Sequence, residues 1–165
     1  MRLMKENINK VLFDIDKKIR QKRSKIDYQI YVVVLLLLKY FHEIFIQKRI
    51  IPCYPENEEY YYLPGGNFDA VSFYIACPLG RWSYLRMLHE TDDISGVLGS
   101  VIEDLKDHFP QLRDDSITPN LYDKIDDRCL CQIISLINKI TFTRKGYARR
   151  EIFSDTLTLL LGITR

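Results

Sequence analysis

The chain has no apolar run long enough to cross a bilayer. Its longest uninterrupted stretch, Ile30 to Leu38, stops at Lys39, about half of the roughly 20 residues a span requires. That stretch lies too deep in the chain for a signal peptide, and no small-residue cleavage site follows it. Four cysteines (Cys53, Cys77, Cys129, Cys131) form no CxxC pair, and no histidines stand at matching zinc-ligand spacing. They read as reduced core residues of a cytoplasmic protein. No internal repeat or low-complexity segment occurs. Glycine and proline are few, seven and six, and they cluster between Ile51 and Gly80, where helical periodicity vanishes.

What is present is ordinary for a soluble domain: 165 residues, 47% hydrophobic and 28% charged. That length allows one domain with a real core. The net charge of +2 hides a segregation of sign. Residues 1–25 carry nine Lys/Arg against three acids, residues 52–127 five against fifteen, and residues 128–165 seven against two. A basic start, an acidic middle and a basic end imply surfaces with different partners, or termini packed against the middle.

Ile8, Val11, Leu12, Ile15 and Ile19 stand at helical spacing and predict a helix over Asn7 to Arg20, with Lys10, Asp14, Lys17 and Lys18 off the apolar stripe. Residues 21–26 form a basic connector, and Asp27 is placed to cap a second helix running to Lys48. Ile30, Val33, Val34, Leu37, Leu38, Tyr40, Phe41, Ile44 and Phe45 trace that helix, with Lys39, His42 and Glu43 elsewhere on its wheel. Its first half is apolar almost all round, which makes it the expected central core helix. Lys39 is expected to snorkel or to meet Glu43 one turn on.

Residues 51–81 read as a long irregular insertion with one or two short strands, in pieces such as EYYYLPGG and AVSFYIACP. Trp82 to His89 gives a short helix or turn, with Trp82 a core anchor. ISGVLGSVIEDLKDHF predicts a helix closed by Pro110, and Leu121 to Ile140 a five-turn helix. A basic loop, TFTRKGYARR, precedes a last helix from Glu151 to Leu161. The expected fold class is all-α, a helical bundle in a single domain.

Three pieces of this pattern resemble the N-terminal helical domain of the modification (methyltransferase) subunit of bacterial type I restriction–modification systems. The first is KVLFDIDKKIRQKRSKIDYQIYVVVLLLLKYFHEIF, with Asp14 or Asp27, Tyr28, and then Leu37, Leu38, Lys39, Tyr40 and Phe45 as its landmarks. The second is RWSYLRML followed by ISGVLGSVIEDLKDHFPQL, and the third is the pair of closing helices. Two departures stand out. SDTLTLLLG lacks the Gly followed by a Tyr-Glu pair that the family carries in its last helix, and the catalytic domain is absent. An adenine methyltransferase needs a Gly-rich cofactor turn after a strand, and an Asn-Pro-Pro-aromatic loop to hold the flipped base. The only Gly-Gly, at 65–66, leads into no helix.

The resemblance implies an accessory domain of a DNA adenine-N6 methyltransferase that helps clamp duplex DNA and assemble with specificity and restriction subunits. Its cofactor, S-adenosylmethionine, would belong to the missing domain, leaving no catalytic, cofactor or metal residue here. Phosphate or partner contacts would come from Lys17, Lys18, Arg20, Lys22, Arg23 and Lys25, and from Arg144, Lys145, Arg149 and Arg150. The alternative is a free-standing helical protein-interaction domain with no nucleic-acid role, its acidic middle engaging a basic partner.

Two enzyme patterns are weak without a structural context. HETDD (89–93) offers metal-type ligands, and the DLK at 104–106 with Asp92 faintly echoes a nuclease. The aromatic insertion, Tyr54 to Tyr74, could stack on bases, but Glu56, Glu58, Glu59 and Asp69 would repel phosphates, which favours packing against protein.

Overall fold

The computed structural model describes residues 2–20, 25–48, 68–109, 117–144, 146 and 148–163. Seven α-helices run through them: α1 (Arg2–Arg20), α2 (Lys25–Lys48), α3 (Phe68–Ala76), α4 (Trp82–Leu85), α5 (Ile94–His108), α6 (Asp127–Ile137) and α7 (Arg149–Ile163). A 3-10 turn at Pro78–Gly80 links α3 to α4. The described residues contain no sheet, so the fold is all-α, and none of their helices is long and apolar enough to cross a membrane.

Helix α2 organises the bundle, packing against α1, α3, α4, α6 and α7. Tyr31, Val32, Leu35, Leu36, Leu38, Phe41 and Ile44 are all buried. The stripe expected from periodicity is not the most buried face, because Val33 and Leu37 are only half-buried while Val32, Leu35 and Leu36 are fully enclosed. Contact on most of its circumference removes the distinction between an inner and an outer face. Lys39, His42 and Glu43, placed off the stripe, are buried as well. The helix begins at Lys25, so Asp27 lies inside it rather than capping it.

The insertion is shorter than its composition implied. Residues 49–67 lie outside the described part, but α3 occupies Phe68–Ala76, where strand or loop was expected, and it begins two residues after the Gly65-Gly66 pair that was expected to lead into no helix. Aromatic and β-branched content favours a strand only where a sheet edge exists to receive it. Here Phe73 and Tyr74 turn onto α2 instead. Phe73 lies 5.7 Å from Phe41 between ring centroids, and Tyr74 stacks on Phe45 at 4.0 Å. This end of the aromatic insertion therefore packs against protein. Gly80 allows the 3-10 turn to close over the Phe73 ring, since a Cβ there would meet Phe73 Cζ at 2.9 Å.

Helix α6 is also shorter than its apolar pattern. Residues 121–125 form turns, and Asp126 starts the helix by accepting the Cys129 N–H at 2.7 Å. Tyr122 sits in the preceding turn, fully buried, and donates its hydroxyl to the Tyr31 carbonyl at 2.7 Å. Burial pushes that phenol well above its ordinary range. Gly99 of α5 allows this turn to approach, because a Cβ would meet the Pro119 carbonyl oxygen at 2.6 Å. Trp82 is the core anchor expected, fully buried, with Nε1 donating to Asn138 Oδ1 at 2.7 Å just past the end of α6.

Candidate functional site

The basic segment between α6 and α7 is held by a buried pair on α2. Lys39 Nζ lies 3.4 Å from Glu43 Oε2 and donates to the Ile140 carbonyl at 2.5 Å. Glu43 reaches across to the segment between α6 and α7. Its Oε1 accepts from the Thr141 hydroxyl (2.8 Å), the Phe142 N–H (3.0 Å) and the Thr143 hydroxyl (2.7 Å), and its Oε2 also accepts the Phe142 N–H at 3.0 Å. Arg149 Nε in turn donates to Thr143 Oγ1 at 2.9 Å. Burial holds the Lys39 ammonium below its ordinary pKa, with Glu43 opposing that shift. Lys39 thus does not snorkel but meets Glu43 one turn on, the second of the two expected arrangements; the pair is buried and anchors the basic loop to the core.

Aromatic packing completes this anchor. Tyr40 stacks on Phe153 of α7 at 4.5 Å, and Phe142 meets both rings edge-on. Burial raises the Tyr40 phenol, while the charges of Arg150 and Arg149 pull the other way.

Two grooves flank α1. The first, about 460 Å³, lies between α1 and residues 139–144 and is lined by Lys10, Lys139 and Arg144 with Asp14. The second, about 650 Å³, lies between α1 and α6 and is lined by Lys17, Lys18 and Arg128, again with Asp14. Lys18 Nζ donates to Gln132 Oε1 at 3.1 Å across this second groove. The fold thereby sets the groove of Lys17 and Lys18 next to that of Arg144, the two meeting at Asp14, although these cations stand more than a hundred positions apart in the chain. Lys10, Arg128 and Lys139 join them, although sequence reasoning had not singled them out as contacts. Lys10 could have been found, since it shares the polar face of α1 with Asp14, Lys17 and Lys18. The other two carry no sequence signal, because their neighbours come from another helix.

Arg149 is half-buried, and Arg144 and Arg150 are exposed. Arg20 ends α1 and Lys25 begins α2. Lys22, Arg23 and Lys145 lie outside the described residues, as does Cys53.

The structure disperses the enzyme patterns. In HETDD, Asp92 Oδ2 accepts the His89 N–H at 2.6 Å, Asp93 accepts the Gly96 N–H at 3.1 Å as the cap of α5, and Glu90 lies 3.8 Å from Arg128. No group of three metal-type ligands converges among the described residues. Lys106, the lysine of the DLK stretch, donates to the Ile117 carbonyl at 2.6 Å.

Cys77 and His108 form one further pair, Sγ to Nδ1 at 3.9 Å. Burial and the nearby Asp104 raise the Cys77 thiol to about 11. A nucleophilic cysteine needs the opposite shift. Cys77, Cys129 and Cys131 are all free thiols, Cys77 buried and the other two half-buried.

No protein-family model, curated protein or solved structure matches this chain.

Proposed function

We propose that this chain is a helical accessory domain of a type I restriction–modification DNA adenine-N6 methyltransferase subunit, contacting duplex DNA and neighbouring subunits rather than performing the methylation. The sequence landmarks in α1, α2, α4 and α5 support the family part of this reading. One observation carries the DNA part: six cations from separate segments, Lys10, Lys17, Lys18, Arg128, Lys139 and Arg144, line two adjoining grooves around α1. Flexible cations lining a groove suit phosphate contact, which is indifferent to base sequence and sensitive to salt. Asp14 between the grooves and Asp126 in the second keep the charge below that of a purely cationic channel. S-adenosylmethionine would be held by the family's catalytic domain.

Binding of the whole chain to a fluorescent duplex across a salt series tests this reading. The affinity should fall linearly with salt on logarithmic axes and should not depend on base sequence. Each phosphate-contacting cation removed from the Lys17, Lys18 and Arg144 set should lower the slope by about one. No binding at low salt would sink the proposal. That result would favour the alternative, a protein-interaction domain with no nucleic-acid role, which is supported by the exposed apolar groove of Leu79, Tyr84 and Met87.

A further inference from the structure

Four large hydrophobic side chains are exposed among the described residues: Phe13, Leu79, Tyr84 and Met87. Three of them, Leu79, Tyr84 and Met87, line a single groove of about 590 Å³ at the α4–α5 corner, with Leu88 and Val97 beside them. Isolated exposed apolar residues are common and need no explanation, but several gathered in one concavity mark a contact surface. Met87 is 77% exposed, and a flexible thioether adapts to different apolar neighbours.

Asp92 and Asp93 form the acidic side of the same groove. Both carboxylates are fixed in place, Asp92 by the His89 N–H and Asp93 by the Gly96 N–H and the Ser95 hydroxyl at 3.3 Å. The floor is rigid too, since Trp82, Leu85, Ile94 and Leu98 are buried beneath the corner.

We propose that this groove docks an amphipathic segment of a partner protein, with apolar side chains on one face and Lys or Arg beside them. The apolar floor supplies the burial and the two fixed carboxylates select the sign of the flanking charge. The same carboxylates repel phosphates, so the occupant is a protein and not a nucleic acid. This surface shares no residue with the basic grooves around α1, so its failure and theirs are separable.

The test uses the isotope-labelled whole chain and two synthetic helical peptides, each with leucines on one face, flanked in one by lysines and in the other by glutamates. The lysine peptide should shift the amides of Tyr84, Met87, Asp92 and Val97 and leave those of α1 unmoved. Met87→Ala and the double change Asp92→Asn with Asp93→Asn should each weaken it about tenfold. Asparagine keeps both side-chain acceptors, and an unchanged amide spectrum of the free variant would verify its fold. Equal binding of the glutamate peptide would overturn the proposal, as would lysine-peptide shifts confined to other faces. Self-association of the chain that Met87→Ala abolishes would also overturn it, by making the occupant a second copy.

Discussion

Two corners of this molecule are tied down by carboxylates, and they differ in how far each carboxylate reaches. At the α4–α5 corner, Asp92 and Asp93 accept backbone N–H groups three residues away. At the α6–α7 connection, Glu43 accepts donors that lie 98 to 100 residues further along the chain. The chemistry is the same, a charged oxygen satisfying donors that a loop would otherwise leave unpaired. The consequences differ. A local cap fixes the start of one helix, whereas the buried Glu43 joins the central helix to a loop carrying part of the basic face. Removing the first should fray a helix end; removing the second should release the loop.

The largest effect is expected at Glu43. Glu43→Ala leaves Lys39 buried without its partner and frees Thr141, Phe142 and Thr143, and should cost about 3–5 kcal/mol in denaturant unfolding. Amide exchange should quicken in residues 140–144 while the α4–α5 corner keeps its protection. Loss of protection at both corners alike would show that the two ties are not independent.

Lys39→Met should cost less, about 1–2 kcal/mol, because Glu43 keeps its hydroxyl and backbone donors. Asp93→Ala should cost about 1 kcal/mol through the lost cap, whereas Asp93→Asn should cost only a few tenths. Urea unfolding of the three variants distinguishes them.

Alkaline pH separates Lys39 by sign from Cys77, which packs against the last turn of α5. Cys77 has its pKa raised from 9.0 to about 11 in the fold, so the native state keeps a proton that the unfolded chain releases. Its contribution is fully present below pH 9 and is lost as pH rises toward 11. Lys39 is lowered from 10.5, so the native state gives up its proton first, and its contribution grows as pH rises toward 10.5. Unfolding measured through this range should show a shallower alkaline decline for Cys77→Ala and a steeper one for Lys39→Met.

The smallest effect is expected at Arg128. Its pair with Glu90 is 3.8 Å long and exposed on both sides, so Arg128→Ala should change stability by less than about 0.5 kcal/mol. It should nonetheless lower the salt slope of DNA binding if the α1 groove contacts phosphate.

Much of the fold was legible because the signals were local. The helices at both ends of the chain, the core role of Ile30 to Phe45 and the end of α5 at His108 follow from signals within a few turns. Asp93 just before Ile94 is a capping signal of the same kind, readable in HETDD although that stretch invites a metal reading first. The failures came from partners distant in the chain. The pattern through Leu121 and Ile125 continues unbroken into α6, and periodicity does not register the turn that Tyr122 makes onto α2. In AVSFYIACP the residue types suit a strand, and the surface of α2 that receives Phe73 and Tyr74 is not encoded nearby.

The sequence by itself determined that this is a helical protein built around one hydrophobic helix, with charge of opposite sign in its middle and at its ends. Only the tertiary structure decided that Lys39 and Glu43 face inward, that the grooves of Lys17 and Arg144 adjoin at Asp14, and that Leu79, Tyr84 and Met87 share a groove. The physical reason is range. Helix formation and capping depend on hydrogen bonds within about four residues, whereas the partners of a buried charge, or the companions of an exposed apolar side chain, are chosen by how whole helices pack.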